Sequence, residues 1–121
     1  MDAFDVMMVV LRFNGRINAQ DLEGLVGMMP PDHFFVDSEG ERHEEMEEGW
    51  GEFFVRYPDY RNVFTRVQVE GGFVAIVGYS TCSYGPLDGL ALWSARVREG
   101  LVSEWRVFLD MPENRRMIGL E

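Results

Sequence analysis

The sequence contains no lysine; all eleven of its basic residues are arginine. Chemistry that needs a Schiff-base amine on the protein is therefore excluded. Base is scarce overall: 21 acidic residues against 11 arginines give a net charge of −10, which repels nucleic acid and anionic membranes. Neither is expected as a partner. The single cysteine, Cys82, cannot form an internal disulfide, so a reducing, cytoplasmic setting is expected. No apolar run reaches the roughly 20 residues of a membrane span, and the acidic Met1-Asp2 start does not read as a signal peptide. The glycines fall in turns or inside helices, not at the strand-to-helix spacing of a phosphate loop, and no cofactor is expected. Only two histidines are present. His33 is expected to share a strand with Asp37, but roughly 13 Å separates them at about 3.3 Å per residue, so no metal site is expected.

What remains is a chain of 121 residues with 46% apolar and 13% aromatic content, enough for one packed domain and too little for two. Val6, Val10, Phe13 and Ile17 recur at helical spacing, predicting an amphipathic helix from Asp2 to Ile17. Asp21 is placed to cap a second, short helix that Pro30-Pro31 stops near Met29. A short strand, His33 to Asp37, ends in the Ser38-Glu39-Gly40 loop. A third helix is predicted from about Arg42 to Tyr57, with Met46, Trp50, Phe53 and Phe54 as its apolar stripe and the glutamates, beside His43, on its other faces. Four strands follow: Tyr60–Val69, Phe73–Tyr84, Leu90–Arg98 and Leu101–Leu109. Glu70-Gly71-Gly72 and Arg98-Glu99-Gly100 are the hairpin turns, and 85–89 forms a longer loop at a mouth or edge. Residues 111–121 read as a loose tail or a partner contact. Helices followed by a meander of long strands predict an α+β fold in which one curved sheet wraps around helices and encloses a cone.

The last strand carries the functional question. Period 2 puts Val102, Glu104, Arg106, Phe108 and Asp110 on one face and Leu101, Ser103, Trp105, Val107 and Leu109 on the other. The expectation is that the polar face lines the cone, with an Asp37–Arg106 ion pair at its floor. The opposite face, with Trp105, Val107 and Leu109, would then lie outside and pair two copies as a homodimer.

The segment Arg12–Leu25, the strand ending in Asp37, Gly49-Trp50 with Pro58-Asp59-Tyr60, and Glu104-Trp105-Arg106-Val107 together resemble the SnoaL-like branch of the nuclear transport factor 2-like superfamily. The resemblance runs from about residue 3 to residue 110 and implies a cone-shaped α+β barrel that often pairs through its outer sheet face. It also implies several chemistries. In a ketosteroid isomerase Asp37 would be the general base, but the two oxyanion donors fall on Phe13 and near Ala91, which cannot donate. In an epoxide hydrolase Asp110 would match the terminal aspartate, while the Arg-x-Asp pair falls near Tyr79 and Thr81. The polyketide-cyclase pattern fits better, with one acid at about Asp110 in an aromatic-lined pocket.

The candidate catalytic groups are therefore Asp37, Arg106 and Asp110, and the candidate ligand walls are Phe13, Phe35, Trp50, Phe54, Tyr79, Trp93 and Phe108. The expected partner is a small apolar or aromatic ligand. The alternative is a non-catalytic dimerisation or partner-binding domain whose cone is filled by its own side chains. An open cone should raise the pKa of Asp37 or Asp110; a filled one should bring Phe13, Trp50 and Phe108 together.

Overall fold

The computed structural model describes residues 1–120. Helix α1 (Ala3–Ala19) starts where Asp2 accepts the Asp5 N–H at 2.9 Å, and it buries Val6, Val9, Val10, Phe13 and Ile17. It ends as Gln20 turns left-handed, at φ 56°. Helix α2 (Leu22–Val26) is capped by Asp21, whose carboxylate accepts the Gly24 N–H at 2.9 Å. A Cβ at Gly24 would collide with the Asp21 carboxylate, so glycine is what lets this cap close.

Strand β1 (Phe34–Val36) and the short β2 (Arg42–His43) form a hairpin, followed by α3 (Met46–Arg56). The remaining strands are β3 (Arg61–Glu70), β4 (Phe73–Thr81), β5 (Gly89–Arg98) and β6 (Leu101–Phe108), and α4 (Pro112–Met117) closes the chain. The six strands form one sheet in the order β2-β1-β6-β5-β4-β3, parallel only between β1 and β6. Glu99 and Gly100 both take positive φ (53° and 78°), the conformation a tight β5–β6 hairpin needs. The sheet bends at a bulge between Phe64 and Arg66. Opposite it, Gly78 lies so close to the Val63 carbonyl that no Cβ would fit. No helix among the described residues is long and apolar enough to cross a membrane.

Helix α1 lies across the concave face, where its Phe13 ring meets Trp105 of β6 at 4.8 Å between centroids. This contact reverses the facing expected for β6. Trp105 is 1% exposed and, with Val107, faces the cone. Glu104, Arg106 and Phe108 lie on the convex side, in register with Arg96, Ser94 and Leu92. A register shift between Arg96 and Val97 breaks the alternation, so Val102 joins the inner cluster. The physical reason is that Trp105 is the largest apolar side chain of the strand, and the helix covers the side on which it stands. The homodimer expectation thereby loses its basis, because two of its three residues face inward.

Two further expectations change. Arg42 and His43 pair with β1 instead of opening α3. Residues 111–120 do not form a loose tail, and Glu121 lies outside the described residues: α4 folds back so that Ile118 and Leu120, 6% and 0% exposed, pack on Ala75, Leu92 and Phe108 of the convex face. Polar contacts hold it there. Arg115 donates twice to Asp110, at 2.7 and 2.9 Å, and Gln68 Nε2 donates to the Gly119 carbonyl at 2.8 Å. The Leu120→Ala variant is expected to lose about 2–4 kcal/mol in urea unfolding, as for other fully buried leucines; an unchanged midpoint would show that the C-terminal segment is not part of the core.

Candidate functional site

The cone contains a cavity of about 730 Å3 between α3, the β1–β2 hairpin, the 85–89 loop and the concave faces of β5 and β6. Its apolar walls are Phe35, Trp50, Phe53, Tyr60, Trp93 and Trp105, so every tryptophan of the chain faces it. Trp50 is held edge-on by Phe35 and Phe53, with centroids 5.7 and 5.6 Å away.

At the hairpin end, Asp37 and His43 form a hydrogen-bonded pair with Oδ2 and Nε2 2.8 Å apart. The Gly40 turn (φ +85°) brings them together, as it places His43 opposite Phe35 in the β1–β2 register. An ionised carboxylate only accepts, so His43 Nε2 carries the proton and Nδ1 is the basic nitrogen. The other Asp37 oxygen accepts the N–H groups of Glu39 and Glu41, each at 2.9 Å. Burial pushes the Asp37 carboxyl up, but the His43 bond and the two backbone N–H bonds outweigh it and hold the carboxyl below its ordinary value. Asp37 is thus an ionised group at neutral pH, able to orient a histidine or accept a proton and unable to act as an acid.

Across the cavity, Ser80 Oγ lies 2.8 Å from Asn62 Oδ1 and 3.2 Å from the Tyr60 hydroxyl. One hydroxyl proton serves one acceptor, and the amide oxygen cannot donate, so Ser80 donates to Asn62 and takes the Tyr60 proton or a ligand's. Asn62 Nδ2 donates in turn to Asn14 Oδ1 at 3.2 Å, which anchors the row to α1. Burial raises the Tyr60 pKa and keeps it a neutral phenol.

The structure separates the residues that the sequence suggests. Asp37, Phe35, Trp50 and Trp93 line the cavity, and Phe108 reaches its edge while packing in the convex cluster. Phe13 and Phe54 stand behind the walls, in the core. Tyr79 lies on the convex face, 38% exposed. Asp110 is not a cavity acid: the Arg115 guanidinium holds its carboxyl below the usual range. No Asp37–Arg106 pair forms. Arg106 is on the other side of the sheet, its guanidinium 5.2 Å from the Phe108 ring and its buried Nε without a partner among the described residues. Cys82 follows β4 instead of lying within it, its thiol 3.5 Å from Asp59 Oδ1. His33 is buried, with Nδ1 2.6 Å from the Val102 carbonyl, and burial lowers its pKa. Among the described residues no three His, Cys, Asp or Glu side chains cluster as metal ligands would.

Sequence reasoning missed His43, Tyr60 and Ser80. Gly40 was the available signal for His43, since a turn glycine three residues beyond Asp37 folds residues 37 and 43 onto one another. Tyr60 and Ser80 meet only through the β3–β4 register, which no local pattern reveals.

The sequence matches no protein-family model and no curated protein sequence. Solved structures do match. An LEH-like epoxide hydrolase of M. tuberculosis is 15% identical with a TM-score of 0.78, over 89% of this chain and 84% of that one. A proposed polyketide cyclase of Sinorhizobium meliloti is 15% identical with a TM-score of 0.75, over 88% and 99%. A cystatin-fold protein of Novosphingobium aromaticivorans, itself uncharacterised, is 18% identical with a TM-score of 0.75, over 86% and 97%. The chain has the cystatin-like, nuclear-transport-factor-2-like α+β cone fold that its sequence resemblance implied.

Proposed function

We propose that the cone binds a small, flat, largely apolar molecule and that His43, oriented by Asp37, removes a proton from a carbon beside one of its carbonyl groups. The observation that carries this reading is the placement of an Asp–His pair and a neutral tyrosine hydroxyl in the walls of one aromatic-lined cavity. The chemistry balances within the site. His43 Nδ1 takes the proton, the electron pair moves onto the carbonyl oxygen as an enolate, and the Tyr60 O–H stabilises that oxygen by turning from Ser80 to donate to it. Return of the proton to a different carbon gives an isomerase, and attack of the enolate carbon on a second carbonyl gives a cyclase. Both share this first step. The proposed cyclase activity of the Sinorhizobium relative supports the choice of substrate class. A cone filled by its own side chains fits poorly with a cavity of about 730 Å3.

The probe is a bicyclic aryl ketone such as β-tetralone in deuterium oxide. The protein is expected to accelerate exchange of the α-hydrogens above buffer, and His43→Gln to lose on the order of a hundredfold of that acceleration. Exchange at the buffer rate with wild type would overturn the catalytic part of the proposal.

Gly49 separates binding from folding. It lines the cavity on α3, and a Cβ added there meets nothing within 4 Å. Gly49→Leu should weaken quenching of tryptophan fluorescence by the same ketone while raising stability by about 0.5–1 kcal/mol, since glycine is a poor helix former. Unaltered quenching would place the ligand elsewhere.

The Asp37 carboxyl gives a pH test. Its folded pKa lies below the unfolded one, so the stability it contributes is complete above about pH 4 and is lost as pH falls through the folded value. Asp37→Asn should flatten part of the acid limb of Tm against pH and leave the neutral-to-basic limb parallel to wild type. An acid limb identical in the two proteins would show that the pair does not form in solution.

A further inference from the structure

The cavity's charge narrows the ligand further, on the reading that the cone binds one. We infer that it selects molecules carrying a positive charge at the end nearest the mouth, that is, aromatic or polycyclic amines. An anionic ligand would find no free cation among the described residues of the cavity walls. Arg42 is the one arginine among the lining residues, and it is already committed, with Nε 2.8 Å from the Glu44 carboxylate and its guanidinium 3.7 Å above the Phe34 ring. His43 gives its Nε2–H to Asp37. A carboxylate, sulfate or phosphate on the ligand would therefore enter without a free cation and would face carboxylates instead.

A cation meets the reverse. Glu45, the residue before α3, and Glu48 and Glu52 on the helix follow one another at spacings of three and four, and all three line the cavity. None of them forms an ion pair within the described residues, and Arg56, at the i+4 position from Glu52, forms none with it. Like charges at these spacings destabilise a helix by a few tenths of a kcal/mol per pair. The helix dipole offsets this for Glu48 in the first turn, but Glu52 lies beyond its reach. Within the described residues the charge of Glu52 is thus left without an ion-pair partner or a dipole to offset it, and a bound cation would relieve its repulsion with Glu48. Asp88 of the 85–89 loop, whose Oδ1 accepts the Cys82 N–H at 2.9 Å, also lines the cavity, and ionised Asp37 adds negative charge at the hairpin end.

Trp50, Phe53, Tyr60 and Trp93 also line the cavity, and aromatic rings attract an ammonium placed over their faces more strongly where water is excluded. Apolar body, cationic end and acidic rim therefore describe one ligand, and the net charge of −10 would speed its arrival at low salt.

The test uses three forms of one ring system: naphthylmethylammonium, naphthylmethanol and naphthoate. Each is titrated by tryptophan quenching into wild type and into the Glu48→Gln/Glu52→Gln double variant, whose changes are isosteric and lie at exposed positions. The ammonium should bind wild type about tenfold more tightly than the alcohol, with naphthoate weakest. The ammonium-to-alcohol ratio should fall severalfold in the double variant and on adding salt. Equal affinities for the three probes, or tightest binding of naphthoate, would overturn charge selection while leaving the binding cavity in place. A ratio unchanged in the double variant would overturn the role of the α3 carboxylates. Failure of all three probes to quench would overturn both the selection and the cavity reading on which it rests.

Discussion

The contact between Phe13 and Trp105 decides how the rest of the molecule is arranged. A helix laid on a sheet must bury its apolar stripe, and Trp105, near the centre of β6, supplies the largest surface for it to cover. Once Trp105 faces the helix, the pleat sends Arg106 and Phe108 to the convex side. Val107 is turned inward by the same alternation. The cavity is the part of the concave face that α1 does not reach, closed at its sides by α3 and the β1–β2 hairpin.

Much of the fold was legible in the sequence because its signals are local. The 3.6-residue stripe of α1, the Asp21 cap, the hairpin glycines and the four long strands each depend on residues a few positions apart, and each lies within a few residues of where the sequence puts it. The cone followed from their order. What the sequence left open depends on contacts distant along the chain. Period 2 separates the two faces of β6 but says nothing of which one a helix will cover, so a polar face read as a pocket lining became the convex surface. The C-terminal residues read as a tail because six helical residues carry little periodicity; their stability comes from Ile118 and Leu120 reaching a sheet face formed by three strands.

The same distinction runs through the candidate site. Aromatic walls were foreseeable from composition, and Phe35, Trp50 and Trp93 stand there. Of the polar groups Asp37 was named in advance, while His43, Tyr60 and Ser80 were not, because each becomes meaningful only by its partner. Asp110 is engaged by Arg115 and Asp37 by His43, and these pairings hold both carboxylates ionised, whereas burial keeps the Tyr60 hydroxyl, beside Ser80, neutral. The outcome is a site in which Asp37 cannot act as an acid at neutral pH. Proton transfer then passes to a histidine, and hydrogen-bond donation to a phenol.

The central claim is that the concave face is an open ligand site. The most direct measurement is the indole resonances of Trp50, Trp93 and Trp105 during titration with naphthylmethanol, observed by solution NMR. All three side chains line the cavity, so the account predicts that their three signals shift together and saturate at one ligand per chain. Indole signals that stay fixed through the titration, while resonances of convex-face residues such as Tyr79 and Val77 move, would contradict it.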